Sequence, residues 1–181
     1  MLNFALFALI TSITPGPNNS MLMASGLRFG VRRTVPHLLG INLGFGFMFL
    51  CVGSILPLMP EGTIEVLEYV AMALLIYIAF KIATASTDFH DEKADEKPWG
   101  FFRAAAFQWI NPKGLMMAFA GATSFGLDNV TGAVIFTISN MVCGTWIFAG
   151  SYMRGFLIDN PLRTRILYVT LALIMVASIV L

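Results

Sequence analysis

Long apolar runs dominate the chain, over residues 2–27, 34–59, 64–85, 102–126, 130–153 and 166–181, separated by short polar connections. An apolar helix needs about 20 residues to cross the ~30 Å hydrocarbon core of a bilayer, so runs of this length predict transmembrane helices. None alternates apolar and polar positions in the manner of a barrel strand, and helices are the remaining way to satisfy every peptide group inside lipid. The pattern therefore predicts an all-α integral membrane protein, with six transmembrane helices forming one domain over residues 1–181. The first basic residue, Arg28, follows the first run instead of preceding it, so the expectation is a mature first helix and no cleavable leader.

Composition strengthens this picture. The 181 residues are 57% hydrophobic and 12% charged, against roughly 45–50% and about 25% in soluble domains, so water is not the main solvent. The few charges are unevenly placed. Arg28, Arg32 and Arg33 follow the first run, Lys81, Lys93, Lys97 and Arg103 flank the third connection, and Arg154, Arg163 and Arg165 flank the fifth. The second and fourth connections carry Glu61, Glu65, Glu68 and Asp128. Because short cytoplasmic loops retain Lys and Arg, the odd connections are expected in the cytoplasm and both termini outside. The third connection, around residues 87–100, is the one long polar stretch and reads as a solvated cytoplasmic linker. Its His90 has no cysteine or second histidine nearby to complete a metal site.

Within this apolar background the informative feature is interruption. Thr14-Pro15-Gly16-Pro17-Asn18-Asn19 lies in the middle of the first run. Pro15 and Pro17 have no amide hydrogen to give the carbonyls of Thr11 and Ile13, and Gly16 lets the chain bend, so the helix is predicted to break at depth. Non-helical backbone inside a bilayer persists only where protein buries it or water lines it. Asn18, Asn19 or Ser20 would then cap a second half-helix whose free amides favour an anionic group. Asn111-Pro112-Lys113-Gly114 interrupts the fourth run in the same way.

The two interruptions have matching positions. Pro15 and Pro112 are 97 residues apart, Asn42 and Asn140 are 98 apart, and the similar stretches that begin at Tyr69 and Tyr168 are 99 apart. Landmarks in one order at a nearly constant offset predict a duplicated three-helix unit, with repeat one at about 1–86 and repeat two at about 101–181. An odd number of spans per unit makes the repeats inverted, with the first and fourth helices broken. In transporters of that design the substrate sits near the midplane, at the interrupted helices.

Lys113 adds chemistry to this site. A lysine at the centre of a membrane helix costs on the order of 2.5–3.5 kcal/mol on insertion scales, and no Asp or Glu lies deep in any run to offset it. Its partners are then freed carbonyls, the amides of Asn18, Asn42, Asn111 or Asn140, water, or a substrate carboxylate. The candidate substrate-binding residues are accordingly Thr14, Pro15, Gly16, Pro17, Asn18, Asn19, Asn42, Asn111, Pro112, Lys113 and Asn140. The alternative use of Lys113 is structural, as an ammonium that caps carbonyls opened by the breaks.

These residues resemble the lysine exporter and homoserine/threonine resistance family of bacterial amino-acid exporters, along nearly the whole chain. The resemblance rests on Thr14-Pro-Gly-Pro-Asn-Asn19, Arg28-Phe-Gly-Val-Arg-Arg33, the stretch from Gly40 to Gly46, and Phe107-Gln-Trp-Ile-Asn-Pro-Lys-Gly114. It implies a secondary transporter of the bacterial inner membrane that exports amino acids or related metabolites from the cytoplasm, driven by protons and needing no cofactor. Thr14–Asn19 together with Lys81-Ile-Ala-Thr-Ala-Ser86 is most similar to the branch exporting cysteine and O-acetylserine. Asparagines and a lysine at the breaks, in place of acidic residues, disfavour a cationic substrate. They also leave Lys113, His37 and Glu68 as the titratable candidates for proton coupling.

Two further classes stand beside an exporter. Cys51 and Cys143 in the second and fifth helices admit a membrane thiol-redox carrier, although neither adjoins the broken prolines and a buried cysteine ordinarily behaves as a small hydrophobe. A non-transporting scaffold is the other. The Gly40-Ile-Asn-Leu-Gly44 spacing permits close helix approach, expected inside the bundle in preference to joining copies of a homo-oligomer. Trp99, Trp109 and Trp146 read as interfacial or packing residues. No nucleotide-binding loop, catalytic triad, metal motif or nucleic-acid signature is present, so ATP-driven transport by this chain alone and enzymatic hydrolysis have no support in the sequence.

Overall fold

A computed structural model describes residues 1–55, 58, 62–85, 87, 97–157 and 159–177. Glu61, Ser86, the linker residues 88–96 with His90, and residues 178–181 lie outside the described residues, as do the side chains of Glu65 and Glu68. The described residues are helical and contain no strand. Helix α1 is Leu2–Ile13, α2 is Pro17–Ile55, α3 is Thr63–Ala83 and α4 is Phe101–Phe107. A 3₁₀ turn, Gln108–Ile110, leads to α5, Pro112–Ser124; α6 is Asn129–Asn140. A second 3₁₀ turn, Met141–Cys143, leads to α7, Gly144–Leu157, and α8 is Pro161–Ala177. Among them, α2 and the stretch Asn129–Leu157 are each long and apolar enough to cross a membrane, and α1 is a shorter apolar helix.

Three departures from the hydropathy pattern have local causes. The first and second runs join as α2, helical through the arginine stretch except at Gly30, whose φ of 77° and ψ of 174° redirect the chain. The carbonyl at this hinge is not left open: Thr34 Oγ1 donates to Gly30 O at 2.8 Å and lies 3.0 Å from Ser25 Oγ. The last helix begins at Pro161, not Ile166, because Asn160 Oδ1 accepts the Arg163 amide at 3.0 Å and Pro161 is already set for a first helical turn. Hydropathy locates where apolar residues start, and here a polar capping turn precedes them. The fifth run tightens into 3₁₀ geometry at Met141–Cys143 instead of running as uniform α-helix.

Large apolar side chains cover the outside as well as the core, and several polar ones are buried with the core. Large apolar residues face outward on most helices, among them Ile10, Phe47, Phe80, Ile138, Tyr152 and Leu173. Ser12, Asn19, Asn42, Gln108, Asn111 and Asn140 are buried. In lipid, helices gain little from hiding apolar surface and associate through close packing and hydrogen bonds. Helix α2 is the hub, packed against α4, α5, α6, α7 and α8, while α3 lies on α8 and α1 on α6. Its contact with α4 is so close that a side chain at Gly40 or Gly44 would collide with the Phe101 carbonyl or the Ala105 backbone. The Gly40–Gly44 spacing thus serves packing inside the chain. Next to the break in α1–α2, Phe4, Phe45, Phe49 and Phe136 form an aromatic core, with the Phe45 and Phe136 ring centroids 4.6 Å apart.

Candidate functional site

The chain leaves helical geometry after Ile13 and resumes it at Pro17. Prolines remove the amides that would have closed this turn, so its carbonyls need other donors. Thr11 O accepts from Thr14 Oγ1 at 2.8 Å. Ser12 O accepts from Asn19 Nδ2 at 2.7 Å and lies 3.3 Å from Cys143 Sγ. Ile13 O accepts from Trp146 Nε1 at 3.1 Å. Thr14 O accepts from Asn19 Nδ2 at 2.8 Å and from Lys113 Nζ at 3.0 Å, and Pro15 O accepts from Lys113 Nζ at 2.9 Å. From Gly16 O the ordinary helical pattern restarts, with the Ser20 amide at 2.9 Å.

The second interruption supplies the key donor. Gln108–Ile110 tightens to 3₁₀, Asn111 is extended with φ −84° and ψ 108°, and Pro112 opens α5. Lys113 therefore projects from the first turn of α5, and its ammonium also donates to Thr14 Oγ1 at 2.8 Å. An ammonium has three donors, and all three end on oxygens of the other break. The structural use of Lys113 is realised in this conformation, through Thr14 and Pro15 and not through the Thr11 and Ile13 carbonyls. A second tie is reciprocal: Asn18 Nδ2 donates to Gln108 Oε1 at 2.9 Å, and Gln108 Nε2 donates to Asn18 Oδ1 at 3.3 Å.

Between the breaks lies a polar cavity of about 20 Å³, lined by Thr11, Ser12, Gly16, Pro17, Asn18, Asn19, Phe45, Asn111, Lys113, Gly114, Met117, Asn140 and Cys143. That is room for about one water molecule. Four polar atoms in its wall are buried without a partner: Ser12 Oγ, Asn19 Oδ1, Asn111 Oδ1 and Asn140 Nδ2. Each such atom is costly, by about 1–3 kcal/mol, unless something fills the site. No carboxylate lines the cavity. Among the described residues no three His, Cys, Asp or Glu side chains converge as a metal site. Lys113 also borders a larger, mainly apolar groove of about 730 Å³ between α1, α5 and α8.

Of the residues expected from sequence, Gly16, Pro17, Asn18, Asn19, Asn111, Lys113 and Asn140 line the polar cavity. Thr14 and Pro15 meet it through the Lys113 ammonium. Pro112 is buried at the start of α5, outside the lining. Asn42 is not part of it either: its amide donates to Leu38 O at 2.8 Å, one turn back along α2. Ser12, Gln108, Cys143 and Trp146 belong to the site and were not singled out for it. Gln108 had a usable signal, a lone amide inside an apolar run, the same signal that marks Asn42.

Comparison with known proteins places the sequence in a family. The profile of the LysE type translocator matches residues 9–180. The chain is 33% identical over 168 residues to a protein of Salmonella typhi named cysteine/O-acetylserine efflux protein, covering 84% of each. It is 31% identical over 161 residues to the protein of that name from Escherichia coli K12, covering 81% of this chain and 80% of the relative. No solved structure matches. With the family profile spanning nearly the whole length and relatives of this identity over most of it, the chain belongs to the LysE type translocator family of amino-acid efflux transporters.

Proposed function

We propose that this protein is a secondary exporter of small neutral amino acids, of the cysteine and O-acetylserine kind, in the bacterial cytoplasmic membrane. In this reading it is built as two inverted three-helix halves with the odd connections in the cytoplasm and both termini outside. The observation that carries the proposal is the Lys113 ammonium, saturated by Thr14 and Pro15 oxygens beside a cavity in whose lining Asn19 Oδ1, Asn111 Oδ1 and Asn140 Nδ2 have no partner.

The unpartnered atoms complement a zwitterion. Asn19 Oδ1, Asn111 Oδ1 and Ser12 Oγ are acceptors for a substrate ammonium, and Asn140 Nδ2 and Lys113 are donors for its carboxylate. A cationic side chain such as that of free lysine would add a positive charge beside Lys113 with no carboxylate in the lining to offset it. Because Lys113 has no spare donor, a carboxylate binds only by drawing the ammonium away from Thr14 and Pro15. Because the cavity is water-sized, the breaks must also part. Occupancy and the geometry of the α1–α2 break are thereby linked, as an alternating-access cycle requires. The names of the relatives support the substrate class.

The test is a flux panel in proteoliposomes loaded with unlabelled substrate, using labelled cysteine, O-acetylserine, serine and lysine with and without an imposed pH gradient. Saturable exchange of the neutral amino acids is expected, with little of lysine, and Lys113→Ala should lower it at least tenfold. No flux for any member of the panel would move the reading to a redox carrier or scaffold. Full flux in Lys113→Ala would remove this site from the transport path.

A further inference from the structure

A second cavity, of about 280 Å³, shares no lining residue with the site at the breaks. It lies where the arginine stretch of α2, the end of α3 and the entry to α4 meet. Its lining includes the apolar Met21, Phe29, Ile78 and Ile82. Arg28, Lys81, Lys97 and Arg103 line it as well, and among the described residues no carboxylate does. Lys81 and Lys97 have no hydrogen-bond or ion-pair partner among the described residues.

The inner wall contributes an observation of a different kind. His37 is 2% exposed, lines this cavity, and has neither ring nitrogen hydrogen-bonded. Its ring stacks on Trp99 at 5.7 Å and 28°, and the Arg103 guanidinium carbon lies 4.1 Å from the centroid of the same indole. The histidine is thus held in place by packing while its polar atoms go unused. Either tautomer of a neutral imidazole presents one N–H, a donor for an anionic oxygen.

We propose that this cavity binds a phosphate-bearing anion, supplied by the headgroup of an anionic phospholipid. Lys81, Lys97 and Arg103, with a buried donor at His37, match a group with several charged acceptor oxygens. A zwitterionic amino acid is the poorer ligand, because its ammonium would face those cations. The apolar side chains of the lining suit the glycerol and first acyl carbons of a lipid, which free phosphate lacks. Basic pockets between membrane helices near the surface attract anionic headgroups in this way.

The experiment uses the full chain in neutral detergent, titrated with phosphatidylglycerol, with phosphatidylcholine of the same acyl chains, and with inorganic phosphate, and followed by native mass spectrometry. Phosphatidylglycerol should bind one to one and at least tenfold more tightly than phosphatidylcholine, and inorganic phosphate should compete. Lys81→Gln with Lys97→Gln, both exposed positions, should lower the phosphatidylglycerol affinity at least tenfold at unchanged helical content; His37→Phe should lower it as well. Phosphate binding without phosphatidylglycerol binding would support the site and assign it to a soluble anion. Equal binding of the two lipids, or undiminished phosphatidylglycerol binding in the double lysine variant, would overturn the proposal. So would phosphate or phosphatidylglycerol binding that appears only when Asp88, Asp91, Glu92, Asp95 and Glu96 are neutralised, since the chain's own carboxylates would then be the occupants.

Discussion

Asn18 and Gln108, 90 residues apart, exchange two amide hydrogen bonds and so tie the start of α2 to the 3₁₀ turn that precedes α5. Gln108 is fully buried and spends its remaining amide hydrogen on Ala104 O at 2.8 Å. Interhelical hydrogen bonds of this kind in membrane proteins average about 0.6 kcal/mol and reach about 1.7. Asn18→Ala and Gln108→Ala should each cost about 1 kcal/mol, and the double variant less than their sum. Unfolding in mixed micelles of increasing SDS content checks the cycle. Strict additivity would mean that the two amides do not act on each other.

Gly16 and Lys113 are as closely related. A Cβ at Gly16 would stand 2.7 Å from Lys113 Cδ and 3.1 Å from Nζ. The obstruction is a flexible side chain, not backbone, so Gly16→Ala should fold, but only by pushing the ammonium off Thr14 and Pro15. Substrate flux is expected to fall at least tenfold while circular dichroism stays that of the wild type. Equal flux would show that the ammonium position at the break does not matter to transport.

Where the helices break was legible in the sequence because lipid punishes an open carbonyl and because Pro15 and Pro112 recur at matched positions; a proline alone does not mark a break, as Pro36 inside α2 shows. Which donors close the breaks was not. Ile13 O is served by Trp146 and Ser12 O by Cys143, partners 133 and 131 residues away, and no local pattern encodes those distances. They depend on the crossing of α2 and α7, which small side-chain volumes decide. Cys143 carries the same lesson. A thiol in an apolar run reads as a small hydrophobe until a neighbouring break presents it with a carbonyl. The early start of α8 was hidden for another reason: Asn160 and Pro161 are capping residues, and hydropathy is blind to caps.

Asp128 gives a pH-dependent prediction outside the membrane-spanning helices. Its carboxylate caps α6 by accepting the Thr131 amide at 2.9 Å, and this bond holds its pKa below the ordinary carboxylate value. A depressed folded-state pKa stabilises the protein above the unfolded-state value and is lost as pH falls through the folded one. Asp128→Ala should therefore lower the apparent Tm at neutral pH, by roughly 2–4 °C for the loss of a cap in a chain of this size. The gap from wild type should narrow as pH falls below the ordinary carboxylate value of about 4. A gap independent of pH would show that the cap does not depend on the charge.

The thiols separate an exporter from a redox carrier. Cys51 is half-buried on α2 and Cys143 is buried in the polar cavity; both are free. Cys143 Sγ lies 3.3 Å from Ser12 O and 3.1 Å from Asn140 Oδ1, and its single hydrogen is divided between that carbonyl of the first break and the Asn140 amide oxygen. Serine keeps a donor at that place and alanine does not. Export should be unchanged in Cys51→Ser, and Cys143→Ser should transport several-fold faster than Cys143→Ala. A carrier that shuttles electrons through thiols would instead lose function equally with serine and with alanine at either position. The same flux assay that tests Lys113 decides it, because the ranking of serine over alanine follows from a hydrogen bond and has no counterpart in thiol exchange.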